Sequence, residues 1–300
     1  MPRFAHNFLN QGLYSQSMRT TRTIKHRAVY LYRWLAGVGV IGFGLSSILG
    51  GLPAQADVDI LDLIFQGIRI VQISNLSDQQ EVELGQQVNQ QILQEVRLYN
   101  HAGITQYVND IGQRLVLGTD RTQIAYTFQV VEDDQINAFA TLGGFVYVHT
   151  GLLRAADNEA QLASVIAHEI GHVDRRHAIQ QMQQAAIAEG LLTAGGLDQN
   201  DAIALGVDLA LHRPNSRAHE LEADAAGLDL LTQAGYAPIA AVDFLQKLLD
   251  HPQITPDFLS THPHPEARIQ ALNEQLDPAT ASLGQGLDGA AYRDRIQALL

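Results

Sequence analysis

Residues 168–172 read His-Glu-Ile-Gly-His, and the apolar spacing around them places all five on one helix. Asn158 followed by Gln161 marks a helix start of the capping-box kind. Leu162, Val165, Ile166, Ile170 and Val173 then recur every three or four residues, the spacing of an amphipathic helix. Side chains four apart on a helix project from one face, so His168 and His172 can grip one metal ion together. Glu169 stands beside them, a carboxylate able to take a proton from water activated by such an ion. An ordinary helix can carry two histidines at this spacing by accident, so the reading depends on further ligands.

A catalytic zinc site needs three protein ligands and an open position. One route places a third histidine six residues after the second, preceded by glycine. Here Arg175 stands at the glycine position and Ala178 at the histidine position, with His177 one residue short, which argues against that class. A better candidate begins at Pro214-Asn215-Ser216, a helix start, followed by Leu221, Leu228 and Leu231 as a buried stripe that Gly235 ends. On that helix Glu220 and Asp224 share a face, and Glu222 points elsewhere. Glu220 can ligate the ion while Asp224 accepts the free N–H of a ligating histidine and so fixes its tautomer.

With these residues in place the chain resembles the M48 zinc metallopeptidases, which pair H-E-x-x-H with a downstream E-x-x-x-D. Asn137-Ala138-Phe139-Ala140-Thr141-Leu142-Gly143-Gly144 is similar to the family's N-A-F-A-x-P-G-G segment, with Leu142 in place of the proline. Arg176-His177, Ser216-Arg217 ahead of Glu220, and Ser260-Thr261-His262-Pro263 with Arg268-Ile269 match further family patterns. Gln80-Glu81, Leu84-Gly85, Tyr107-Val108-Asn109 and Gly112-Gln113 extend the resemblance upstream, so that it spans residues 77–270.

The resemblance implies an α+β fold, a mainly helical zincin-like metallopeptidase domain with a small antiparallel sheet. It implies one zinc ion per chain held by His168, His172 and Glu220, with Glu169 as general base, Asp224 as orienting partner and His262 at the active site. An imidazole at His262 can donate a hydrogen bond to the developing oxyanion. Alternatively it can occupy the open position on zinc and hold the enzyme latent, a reading prompted by its Pro-rich loop and nearby His264. Val146 and Val148 alternate with Tyr147 and His149 after Gly143-Gly144, so two antiparallel strands with a glycine-rich connection are expected. An exposed edge there pairs with an extended peptide, which makes Asn137, Ala138, Phe139, Gly143 and Gly144 candidate substrate-binding residues. Polypeptide substrates that are unfolded or misassembled suit such an edge. A zinc-retaining chaperone or scaffold is the competing reading, and the intact Glu169 argues against it.

The amino-terminal 56 residues hold six Lys or Arg, no acid, and an apolar run from Trp34 to Leu49 before Ala54-Gln55-Ala56. That pattern predicts a signal peptide cleaved after Ala56, or a short retained anchor, and hence an exported, periplasmic or equivalent location. All 32 acidic side chains and only 13 of the 19 basic ones lie beyond Ala56, a balance that disfavours nucleic acid and anionic membrane surfaces as primary partners. The chain has no cysteine, which excludes disulfides and a cysteine nucleophile and leaves metal binding to His and carboxylate. Residues 57–73 are apolar with interspersed charges and suit a peripheral membrane contact or packing on the domain itself. The expected divisions are a helical part at 57–115, the peptidase core at 116–276 and a tail at 277–300. Helices are expected from Ser77 toward Tyr99, from Thr105 to Leu117, from about Pro238, and with Pro265 at a first helical position. Residues 180–211, including Gly195-Gly196, are too polar and interrupted to span a membrane, and no helical-repeat extension is expected.

Overall fold

A computed structural model describes residues 75–188, 198–251 and 256–300 of the chain. The expectations placed on residues 1–56, on 57–73 and on Gly195-Gly196 lie outside those described residues. Among the described residues no helix is long and apolar enough to cross a membrane.

The described residues begin with α1 (Asp78–Glu95), opened by a reciprocal capping box between Ser77 and Gln80, and α2 (Ala102–Leu115), capped by the His101 side chain. Three short strands follow, β1 (Thr127–Val131), β2 (Ala138–Ala140) and β3 (Phe145–His149), in the spatial order β1-β3-β2. The mainly helical α+β expectation holds, with one correction to the sheet, which is mixed rather than wholly antiparallel. β2 and β3 form the expected antiparallel pair, but β1 joins the other side of β3 in parallel, Thr127 opposite Phe145 and Val131 opposite His149. A parallel pair is stable where both faces of a sheet are covered. Here Val146 and Val148 enter one core cluster while Tyr147 enters another, on the opposite face.

After α3 (Thr150–Ala155) comes α4 (Glu159–Asp174), which carries His168, Glu169 and His172. The Asn158 side chain caps it by accepting from Gln161 N at 3.0 Å, while the Gln161 side chain reaches back to Asp157 N rather than to Asn158. The expected amphipathic stripe is only half the picture: every residue from Ala160 through Val173 is buried. Its polar residues face packed elements rather than water, so each requires a partner inside the protein.

Around α4 lie α5 (His177–Ala188), α6 (Gln199–His212), α7 (Arg217–Gln233), α8 (Ile239–Asp250), α9 (Pro256–Thr261) and α10 (Pro265–Gln275). Pro265 takes the first turn of α10 as expected. Residues 277–300 carry α11 (Gly289–Arg295) and pack onto the domain: Tyr292 is buried and its hydroxyl donates to Leu153 O at 2.6 Å.

The crossing of α4 and α7 depends on small residues more than on the leucine stripe. Leu221 is only half-buried, while Ala223 and Gly227 are buried against α4. A Cβ on Gly171 would lie 2.6 Å from Ala223 O, and one on Gly227 would lie 2.9 Å from His168 N. Backbone therefore touches backbone where the two helices carry their functional residues. Gly171→Ala is expected to force the helices apart and to destabilise the protein by about 1–3 kcal/mol. Urea unfolding measures this, and an unchanged midpoint would show that the crossing has room to spare.

Candidate metal centre

The close approach of α4 and α7 brings His168 and His172 against Glu220, and the turn after α9 adds His262 from the far side. One ligand-capable atom from each of these four buried residues lies within 4.8 Å of the others. Nε2 of His168 and Nε2 of His172 are 3.1 Å apart, Glu220 Oε1 is 3.3 Å from His172 Nε2, and Glu220 Oε2 is 3.5 Å from His168 Nε2. His262 Nδ1 is 3.4 Å from Glu220 Oε1. Glu169 stands outside this cluster of four but beside it, with Oε1 3.6 Å from His262 Nε2. Glu169 Oε1, His262 Nδ1 and Glu220 Oε1 are buried without a hydrogen-bond partner among the described residues. Polar atoms buried in that way at one point, all N or O, fit a divalent ion of the zinc type.

Asp224 lies where the sequence places it, one turn beyond Glu220, and its Oδ1 is 2.9 Å from His168 Nδ1. Spacing alone assigns no role to Arg268, a fully buried side chain on α10 that holds both acids. Its Nε and Nη2 each donate to Asp224 at 2.7 Å and its Nη1 sits 2.7 Å from Glu220 Oε2. The only sequence signal for it was its place in the pattern that follows His262.

The charges sort themselves by these contacts. Burial favours a neutral Glu220, but the positive surroundings of His262, Arg268 and His168 hold its carboxyl well below the usual range. Burial likewise acts to raise Asp224, and Arg268 and His168 overcome it, bringing it down to about 2. His168 is pushed down by burial and by Arg268, yet Asp224 and Glu220 outweigh both and raise it to about 9. Burial pushes His172 down to about 4 despite its hydrogen bond to Glu220.

The candidate substrate residues divide between two places. β2 is the free edge of the sheet, and in its antiparallel pairing with β3 the backbone groups of Ala138 and Ala140 point away from β3. Ala138 O meets His262 Nε2 at 3.2 Å, and the Asn137 side chain accepts from Ala138 N at 3.0 Å. Phe139 is stacked on Tyr147 and walls a cleft with Thr141, Leu142, Met182 and Leu209 that opens onto Glu169 and His262. Gly143 and Gly144 instead form the buried turn between β2 and β3, with φ of 72° and 86°, and do not line the cleft. A Cβ on Gly143 would lie 2.8 Å from Val82 Cα. That turn rests on buried Glu81, which also holds Arg121 and Arg176 at 2.9 and 3.0 Å.

Residues 104–276 match the model of peptidase family M48, and the chain belongs to that family. It is similar to the beta-barrel assembly-enhancing protease of Escherichia coli (strain K12), 37% identical over 212 residues that cover 65% of this chain and 44% of that protein. A putative beta-barrel assembly-enhancing protease of Vibrio cholerae serotype O1 is 33% identical over 240 residues, 75% of this chain and 49% of that protein. The mitochondrial metalloendopeptidase OMA1 of Schizosaccharomyces pombe is 32% identical over 181 residues, 58% and 54% of the two chains. This chain spans about half the length of the relatives it matches.

Removing Arg268 leaves Asp224 and Glu220 buried without their counter-charge. Arg268→Met is expected to cost about 3–5 kcal/mol. Urea unfolding of the metal-free protein checks this, and a loss under about 1 kcal/mol would mean that the two acids are stabilised without it.

Proposed function

We propose that this chain is an exported zinc endopeptidase that cuts unfolded or misassembled proteins of the cell envelope. The observation that carries the reading is the buried cluster of His168, His172, Glu220 and His262 with Glu169 beside it on the same helix. Relatives named for beta-barrel assembly and the basic-then-apolar amino-terminal segment support the envelope setting.

His168, His172 and Glu220 would hold the ion, and Asp224 and Arg268 would keep His168 and Glu220 in place for it. A zinc ion in such a site makes water acidic enough to ionise near pH 7 and polarises a peptide carbonyl. Glu169 holds the proton released by the attacking water on its carboxylate and delivers it to the nitrogen of the departing amine. An extended segment of substrate adds to the β2 edge through the backbone of Ala138 and Ala140, a mode that accepts many sequences. The apolar cleft beside Phe139, Leu142 and Met182 suits side chains that a folded substrate keeps buried. Glu169→Gln is expected to lower cleavage of unfolded casein by about 100-fold or more while zinc stays bound. Cleavage that does not depend on Glu169 or on chelator would favour the chaperone or scaffold reading.

His262 is better placed to close the site than to assist the reaction. Its Nε2 donates to Ala138 O, and Nδ1 is the atom that faces Glu220 and the cluster. The same contact covers the carbonyl on which an incoming strand would pair. A bound substrate strand therefore competes with His262 for Ala138 and opens the site as it docks. His262→Ala is expected to raise basal casein cleavage about tenfold, the loss of roughly one hydrogen bond's worth of closure. A fall in cleavage would instead assign His262 to transition-state stabilisation.

A further inference from the structure

The two imidazoles on α4 are backed in different ways. His168 Nδ1 meets Asp224 directly, whereas the neighbour of His172 Nδ1 is another imidazole, Nδ1 of His177, at 2.8 Å. His177 Nε2 lies in turn 3.2 Å from Glu222 Oε2. We propose that His177 and Glu222 form a two-link chain that fixes the tautomer and orientation of His172, with His177 a positioning residue of the metal centre. The inference rests on the metal-centre reading above.

The protons along this chain have one arrangement that satisfies every nitrogen. His172 Nε2 faces the cluster and must keep its lone pair to bind an ion, so its proton sits on Nδ1. That N–H needs an acceptor, and His177 Nδ1 is the buried atom in reach, so His177 carries its own proton on Nε2. Nε2–H then donates to Glu222, and no two protons meet. Had either ring taken the other tautomer, two N–H groups or two lone pairs would face each other.

Two features hold His177 in that position. His219 stacks on its ring with centroids 4.3 Å apart and planes 11° from parallel, and His219 Nε2 is itself 3.2 Å from Gln180 Oε1. The backbone between α4 and α5 turns through Arg176 in the left-handed region, φ 57°, which returns His177, the first residue of α5, beneath His172. A residue with a Cβ adopts that conformation only where its surroundings hold it there. Here the Arg176 guanidinium donates to Leu76 O at 2.6 Å and pairs with Glu81 at 3.0 Å. The far end of the chain differs from its counterpart on His168: the Glu222 side chain is 56% exposed, whereas Asp224 is buried. One histidine is thus backed by a sealed acid and the other is linked to the surface.

The test measures metal binding by the full chain rather than cleavage, with zinc affinity from chelator competition and the visible absorption of cobalt as probe of ligand geometry. His177→Phe keeps the ring stacked on His219 but removes the acceptor, and is expected to bind zinc about 10–100-fold more weakly with an altered cobalt spectrum. His177→Asn sets an amide oxygen where Nδ1 stood and is expected to recover most of that loss. Glu222→Gln, changed at an exposed position, is expected to fall between His177→Phe and the unaltered protein. Wild-type affinity and spectrum in His177→Phe, no recovery in His177→Asn, or wild-type affinity in Glu222→Gln overturns the proposal. A merely structural role would lower the unfolding midpoint of the metal-free protein and leave zinc affinity unmoved. If the unaltered protein binds neither metal, it is the metal-centre reading that fails.

Discussion

The contact of the α4 backbone with the α7 backbone at Gly171, Ala223 and Gly227 sets the geometry of everything around it. Helices that meet through leucine side chains lie 8–10 Å apart, and small residues bring them to the near end of that range. Only at close range can Glu220, a short-reaching carboxylate on one helix, stand within 3.5 Å of imidazoles on the other. The glycine inside the His-Glu-Ile-Gly-His run is therefore as much a part of the centre as the residues that carry nitrogen or oxygen.

That closeness creates an electrostatic problem, because it buries three carboxylates, Glu169, Glu220 and Asp224, among several imidazoles. Burying ionised groups is costly unless each finds a partner. Arg268 resolves most of it by spanning Asp224 and Glu220 at once, and a fork of fixed geometry suits that task better than a flexible ammonium. The negative charge left over is concentrated on Glu220 Oε1, which faces the imidazoles of His172 and His262 and has no hydrogen-bond partner among the described residues. A doubly charged cation at that point would complete a balance that the protein alone leaves open.

What the sequence made legible was whatever a single helix fixes by its own period. His168 with His172 and Glu220 with Asp224 are each one turn apart, so their shared faces followed from spacing, as did the caps at Ser77, Asn158 and Ser216. Contacts between distant segments were opaque. Arg268 reaches Asp224 across 44 residues, and nothing in its local pattern marks it as an inward-pointing charge. His177 falls one residue short of a ligand position on a continuing helix, and its place beneath His172 is not legible from spacing because α4 ends at Asp174 and the chain turns back at Arg176. β1 went unnoticed, and with it the parallel pairing, since strand direction depends on the path of the intervening chain rather than on composition. The burial of α4 on all sides was hidden too, because polar residues that serve a site read as a solvent face.

The free edge at β2 is only three residues long and is partly covered by His262. An uncovered strand edge recruits any other unpaired strand, including that of a second copy of the same protein, and grows into aggregates. Shortness limits how many hydrogen bonds a stray strand can form, and the contact of His262 with Ala138 O occupies one of the groups it would use. A three-residue edge already in contact with a side chain of its own domain is thereby a poor seed for other strands to collect on.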